Sequence, residues 1–117
     1  MDIKLKRIYT DASEEDGFRV LVDRIWPRGI SKEKAKLDEW AKEIAPSDEL
    51  RKWFDHREDR FQKFSEKYQI ELLAHKGLVG SLLKIALEGR LTLLYGAKDE
   101  THNQAVVLKN YLENYLP

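Results

Sequence analysis

Residues 18–25 read FRVLVDRI, and this short stretch decides the fold class. Its centre, Val20-Leu21-Val22, is continuously apolar and mostly β-branched, which predicts a strand buried on both faces. The stretch LTLLYG at 91–96 is apolar on both faces and predicts a second buried strand. Two such strands need cover on both faces, so the pattern indicates a largely parallel sheet sandwiched by helices.

The segments around these strands predict an edge strand and several helices. IKLKRIY at 3–9 alternates apolar and charged residues, as an edge or half-buried strand does. Residues 37–45 fit helical and strand spacing equally, so their conformation stays open. Apolar residues three and four apart, together with serine N-caps, predict helices at 31–36, 47–54, 57–73, 78–88 and 102–115. We therefore expect an α/β fold with a small, largely parallel, three- or four-stranded sheet flanked by helices, in a single domain over 1–117. The helices in the middle of the chain would connect strand 18–25 to strand 91–96.

Composition excludes several functional classes. The 117 residues are 42% apolar, which suits one core, and 21 basic residues balance 21 acidic ones. A globally basic nucleic-acid binder is thereby excluded, although a local patch is not. The chain contains no cysteine, so disulfides, thiolate metal sites and cysteine nucleophiles are absent. The N-terminal residues lack the apolar region of a secretory signal, and no apolar run approaches the roughly 20 residues of a membrane span. We expect a cytoplasmic protein without membrane contact and predict no cofactor.

The polar residues that follow the two buried strands form the predicted site. In an open α/β sheet, ligands bind beyond the carboxyl ends of the parallel strands. If the two strands are neighbours, their following residues converge there, and the N-terminus of the last helix adds free N–H groups. The residues concerned are Asp23, Arg24, Trp26 and Arg28 after the first strand, and Lys98, Asp99, Thr101, His102 and Asn103 after the second.

Arg24 and Arg28 are the sharpest feature of this set. Arginine forks bind carboxylate or phosphate through two hydrogen bonds, and Trp26 between them could stack on a ring. Five cations against one acid lie between residues 24 and 36, on a chain whose net charge is zero. A structural alternative stays open, in which Asp23 pairs with Arg24, Trp26 is a core residue and the lysines solvate a helix. We predict ligand-binding roles for Arg24, Trp26, Arg28, Lys98 and Asn103.

His102 is the candidate for acid–base catalysis. A neutral imidazole can act as a general base, with Asp99 orienting its ring. In the structural alternative, Asp99 or Thr101 caps the last helix and His102 bonds locally. Asp99 and His102 could also ligate a metal together with His56, but the chain has no established metal-binding motif. We predict no metal site. The acidic segment DASEED at 11–16 is expected to be a solvated turn.

Several long segments resemble one family. RVLVDRIWPRGISKEKA, WAKEIAPSDELRKWF, FSEKY and TLLYGAKDETHNQAVVLKNYL together are similar to the YeaO-like proteins of bacteria and archaea, whose function is unknown. The resemblance covers nearly the whole chain and implies a compact cytoplasmic α/β domain. It also implies that broader relatives carry a Cys-His-Arg motif where this chain has His102-Asn103-Gln104. A thiol-based mechanism is therefore in doubt for this chain.

Three functional hypotheses follow. The first is a binding module for an anion, a nucleotide or a nucleic-acid phosphate, built on the arginine, tryptophan, lysine and histidine cluster at the strand ends. The alternative is a small enzyme on a phosphorylated or carboxylated substrate, with His102 as acid or base. A further alternative is an interaction or regulatory subunit that uses Tyr111 or Tyr115 as a contact surface. Each is compatible with a monomer or a homodimer.

Overall fold

A four-stranded, entirely parallel sheet forms the centre of the computed structural model, which describes residues 1–115. The strands are β1 (Asp2–Arg7), β2 (Phe18–Leu21), β3 (Glu39–Trp40) and β4 (Arg90–Tyr95). Their order is β1-β4-β2-β3, so β4 lies between β1 and β2. The predicted α/β class is confirmed, and the two buried strands, whose order the sequence left open, are parallel neighbours.

Five helices accompany the sheet in the described part of the chain. They are α1 (Lys32–Ala35), α2 (Asp48–Phe54), α3 (Phe61–Leu72), α4 (Lys76–Glu88) and α5 (Gln104–Glu113). Ser31 and Ser47 cap α1 and α2 as predicted, each accepting a backbone N–H with its hydroxyl. Short 3-10 turns occupy Glu14–Asp16, Lys42–Ile44, Glu58–Arg60 and Leu73–His75. Within residues 1–115, no helix is both long and apolar enough to cross a membrane.

The sheet separates two apolar clusters because side chains alternate along each strand. The larger cluster contains Val20 and Leu93 and packs against α2, α3, α4 and α5. The smaller cluster contains Leu21 and Leu94 and packs against α1 and the chain around Ile30. The continuous apolar centre of residues 20–22 thus serves both faces, which is why it contains no polar position.

Several boundaries differ from the prediction. Strand pairing of β2 ends at Leu21 rather than near residue 25, since the chain turns into the loop that carries Asp23. The ambiguous segment 37–45 contains both a two-residue strand and a 3-10 turn, so each periodicity has a partial physical basis. The predicted helix at 57–73 is a 3-10 turn followed by α3. The last helix begins at Gln104 rather than at 102, because Asn103 is its N-cap.

The acidic segment at 11–16 contains a buried charge. Asp16 is fully buried, with its carboxylate 2.6 Å from Nη1 of Arg19 and 2.9 Å from Nζ of Lys6. Burial raises its pKa, but the hydrogen bonds from Lys6, from the Ser13 N–H and from Arg19 outweigh burial. The pKa therefore lies far below its ordinary value. The prediction of a solvated turn is wrong for Asp16, because its partners on β1 and β2 are brought to it only by the folded sheet.

Candidate functional site

A cleft opens where β2 and β4 end, at the carboxyl edge of the sheet. Its volume is about 460 Å³, and its walls come from the loops after β2 and β4, from α2 and α3, and from the start of α5. This is the edge at which open α/β sheets bind ligands. We call it the strand-end cleft. Its charged and amide-bearing lining residues are Asp23, Arg24, Arg28, Arg51, His56 and Gln104.

Asp23 is held in the strand-end cleft by two donors, one directly after β4 and one at the start of α5. Its Oδ2 accepts the backbone N–H of Gly96 at 2.9 Å, and its Oδ1 accepts Nε2 of Gln104. A Cβ at Gly96 would lie 2.9 Å from Oδ2 of Asp23 and 3.1 Å from Cβ of Pro27, so the close approach needs a glycine. Burial raises the pKa of Asp23 to about 6, although both hydrogen bonds act in the opposite direction. A carboxyl group that titrates near neutrality in a cleft is typical of functional sites.

The guanidinium group of Arg24 makes two structural hydrogen bonds and also lines the cleft. Its Nε donates to the Pro46 carbonyl at 2.8 Å and its Nη2 to the Ala45 carbonyl at 3.1 Å, which ties the chain before α2 to the end of β2. The predicted alternative of an ion pair with Asp23 is not observed, and among residues 1–115 no carboxylate pairs with Arg24. Its charge thus faces the cleft without an acidic partner, and Nη1 makes no hydrogen bond within the described residues.

Two further arginines line the cleft, Arg51 from α2 and Arg28 from the same loop as Arg24. Arg51 projects from α2, and its Nε is buried without a hydrogen-bond partner among the described residues. Its Nη2 lies 3.4 Å from a carboxylate oxygen of Asp48, which is a weak surface contact. Arg28 is exposed, and its backbone carbonyl accepts the hydroxyl of Tyr9 at 2.6 Å. His56 follows α2 in a left-handed conformation with φ of 53°, which turns the chain toward the cleft.

Trp26 lines the cleft and also belongs to the core. Its Nε1 donates to the carbonyl of Ile30 at 2.8 Å, and its ring contacts Trp40 edge-on, with centroids 5.3 Å apart. The ring also packs against the smaller apolar cluster. The core role that the sequence left open is thus observed, while a stacking role toward a ligand stays a prediction.

The predicted residues after β4 form a separate group outside the cleft lining. Oδ2 of Asp99 lies 3.0 Å from Nδ1 of His102, so the predicted carboxylate–imidazole pair is present. Oδ1 of Asp99 also accepts the N–H groups of Thr101 and His102, so His102 bonds locally as the structural alternative proposed, but neither Asp99 nor Thr101 caps α5. Asn103 is buried and caps α5, accepting the N–H groups of the first turn with Oδ1 and donating Nδ2 to the Asp99 carbonyl at 2.8 Å. Lys98 is exposed.

The two tyrosines of the interaction hypothesis lie on a different surface. Tyr111 and Tyr115 are half-buried against the larger apolar cluster, with ring centroids 5.8 Å apart. They line a groove of about 690 Å³ between α3 and α5. Their use as a contact surface stays a prediction.

Comparison with known proteins identifies the family. A family model described as "Inactive DUF488-N3 subclade" matches residues 2–117. The chain is 48% identical over 114 residues to the uncharacterised protein YeaO of Escherichia coli strain K12, which covers 97% of this chain and 99% of the relative. The chain belongs to the DUF488-N3i family. It is also 38% identical over 110 residues to the uncharacterised proteins Rv3073c of Mycobacterium tuberculosis and Mb3100c of Mycobacterium bovis, over 94% of this chain and 92% of each relative. No solved structure gives a significant match.

These matches confirm the resemblance to YeaO-like proteins. In this DUF488-N3i chain, only part of the predicted site comes together in the cleft. Arg24, Trp26 and Arg28 meet in the strand-end cleft, as the strand order requires. The sequence analysis left Arg51 and Gln104 out and named His56 only as a possible metal ligand. Arg51 and Gln104 carry no motif, and they reach the cleft only because the fold places α2 and the start of α5 beside the ends of β2 and β4. The signal for Asp23 was present in its position directly after a buried strand.

Proposed function

We propose that this DUF488-N3i chain is a binding module that holds a small phosphate-bearing ligand in the strand-end cleft. The observation that carries the proposal is the buried Nε of Arg51, which lacks a hydrogen-bond partner within residues 1–115. A buried donor without an acceptor destabilises the folded protein, and an anionic oxygen in the cleft would satisfy it. Arg24 and Arg28 line the same cleft and supply further donors for the same charge.

The charge balance of the cleft supports an anionic ligand. Three arginines face one carboxyl group, that of Asp23, and this carboxyl group has its pKa raised to about 6 by burial. The guanidinium groups of Arg28 and Arg51, with the remaining Nη1 of Arg24, suit the several oxygens of a phosphate group better than a single carboxylate. The volume of about 460 Å³ lies in the usual range for small-molecule pockets, which favours a free ligand over a nucleic-acid strand.

The enzyme hypothesis has weaker support. His102 and Asp99 form the expected pair, but neither lines the strand-end cleft. The matched family is described as an inactive subclade, which favours binding over turnover. Binding also needs no nucleophile, in keeping with the absence of cysteine from the chain.

The test is a titration with inorganic phosphate, pyrophosphate and AMP at low salt, followed by thermal unfolding and by amide NMR shifts. At about 100 times its dissociation constant, a ligand should stabilise the fold by about 2.7 kcal/mol. We expect Arg28→Ala to weaken binding about tenfold or more, because it removes a charge-assisted contact without disturbing a side-chain bond. Arg51→Lys keeps the charge but removes the Nε donor, and it should also weaken binding.

The matched control is Arg90→Ala, which removes an exposed arginine at the opposite, amino end of β4. Its ligand affinity should equal that of the wild type. Equal losses in the Arg28 and Arg90 variants would mean non-specific charge attraction and would refute the proposal. So would binding that is unchanged in both the Arg28 and the Arg51 variants, or a flat response to all three ligands.

A further inference from the structure

A second cluster of ligating side chains lies outside the strand-end cleft. Carboxylate oxygens of Glu58 and Asp99 and a ring nitrogen of His102 lie within 4.8 Å of one another. Glu58 begins the 3-10 turn before α3, whereas Asp99 and His102 lie in the loop between β4 and α5. Glu58 is more than 40 positions from Asp99 and His102 in sequence, so the fold alone brings it to them. We infer that this cluster is a surface site for a divalent transition-metal ion of the Zn²⁺ type.

The tautomer of His102 is set by its carboxylate neighbour. Nδ1 of His102 lies 3.0 and 3.1 Å from the two carboxylate oxygens of Asp99. A carboxylate has no hydrogen to donate, so Asp99 only accepts in this pair. In the neutral ring, Nδ1 therefore carries the proton and Nε2 carries the lone pair that binds metals.

Nε2 of His102 and a carboxylate oxygen of Glu58 lie at a distance that would allow both to bind one metal ion. Nε2 of His102 lies 3.6 Å from Oε1 of Glu58. This distance is too long for a hydrogen bond, which spans about 2.7 to 3.2 Å. It is close to the separation of about 3.4 Å between two ligands on one tetrahedral zinc, given metal–ligand bonds of about 2.0 to 2.2 Å. This spacing therefore suits two ligands of one ion, and it also lies within the range of an ion pair with a protonated ring.

The surroundings of the cluster support the same reading. The ring of His102 packs edge-on against Phe61, with centroids 5.1 Å apart, which holds its plane in place. Among residues 1–115, no lysine or arginine forms an ion pair with Glu58, because Arg57 pairs with Asp59 and Arg60 donates to the Trp53 carbonyl. In the proposed site, Glu58 and His102 bind the ion, and Asp99 orients the ring of His102 through Nδ1, as carboxylates commonly do in zinc sites. Water would complete the coordination. The sequence predicted no metal site, because the chain has no established metal-binding motif and nothing in the sequence links His102 to Glu58.

The experiment is calorimetric titration of the full chain with Zn²⁺, and with Mg²⁺ as the comparison ion. We expect one zinc per chain and no detectable Mg²⁺ binding at the same concentration, because Mg²⁺ prefers oxygen ligands alone. Glu58→Gln and His102→Gln should each weaken zinc binding about tenfold or more. The exposed side chain of Glu58 makes no hydrogen bond within the described residues, so Glu58→Gln should fold like the wild type.

Two controls separate this site from general surface binding. Glu66→Gln removes an exposed glutamate of α3, and His75→Gln removes a histidine elsewhere, so both should bind zinc like the wild type. Long-range ¹H–¹⁵N NMR of the His102 ring should show the Nδ1–H tautomer and a zinc-dependent shift at Nε2. The inference is overturned if the wild type binds no zinc, or if Glu58→Gln and His102→Gln bind it as the wild type does.

Discussion

Asp23→Asn is expected to make the folded protein more stable at neutral and alkaline pH. In the unfolded chain the Asp23 carboxyl group ionises near 3.8, whereas in the folded protein burial holds its pKa at about 6. Between these values the folded state binds more protons than the unfolded state, so raising the pH lowers the free energy of unfolding. At about 1.4 kcal/mol per pKa unit, the ionised carboxylate destabilises the fold by about 3 kcal/mol above pH 7.

Asparagine removes this charge with little loss of hydrogen bonding. Its Oδ1 can accept the N–H of Gly96, and the amide of Gln104 can rotate so that its oxygen accepts the new Nδ2. Asp23→Asn should therefore exceed the wild type by up to about 3 kcal/mol at pH 8, and the difference should shrink as the pH falls from 6 toward 4. A protein that keeps such a carboxyl group trades stability for a charge in its cleft, which is typical of functional sites.

The assay is urea-induced unfolding of both proteins at intervals from pH 4 to pH 8. The matched control is Asp11→Asn, which removes an exposed carboxylate, and its stability curve should run parallel to that of the wild type. A domain of this size unfolds with about 5 to 15 kcal/mol, so a change of about 3 kcal/mol is readily measured. If Asp23→Asn is no more stable than the wild type at pH 8, or if the difference does not vary with pH, then Asp23 does not carry a strained buried charge.

Four other substitutions test the fold, each by urea-induced unfolding. Asp16→Asn should cost about 3 to 5 kcal/mol at neutral pH, because it leaves the buried guanidinium of Arg19 without its counter-charge; a loss below about 1 kcal/mol would refute this. Gly17→Ala should cost about 2 kcal/mol or more, because φ is +64° and a Cβ would clash with the backbone oxygen of Arg90, whereas Gly80→Ala, in open space on α4, should gain about 0.5 to 1 kcal/mol. Equal effects of the two glycine substitutions would contradict the strain at residue 17. Asn103→Ala should cost about 1 to 2 kcal/mol through loss of the cap of α5, and an unchanged midpoint would count against that role.

Much of the architecture followed from local patterns. The continuous apolar centre at 20–22 and the stretch at 91–96, which is apolar on both faces, indicated strands covered on both faces, and such strands occur in parallel sheets with helices. The segment 37–45 could not be assigned, because a two-residue strand and a 3-10 turn leave no periodicity long enough to read. The conformation of this segment depends on the strand pairing of Trp40 with Leu21, two residues that are distant in sequence.

The candidate site divides along the same line. The sequence by itself determined that Arg24, Trp26 and Arg28 follow a buried strand, and strand ends are where an α/β sheet binds ligands. Only the tertiary structure decided that Arg51 and Gln104 join them while His102 faces Glu58 instead. The tertiary structure also shifts the pKa values of Asp23 and Asp16 in opposite directions. Burial raises the pKa of Asp23 to about 6, whereas three close donors hold the pKa of Asp16 far below its ordinary value. The physical reason is that periodicity is a property of adjacent residues, whereas desolvation and ion pairing depend on groups that meet only when the chain has folded.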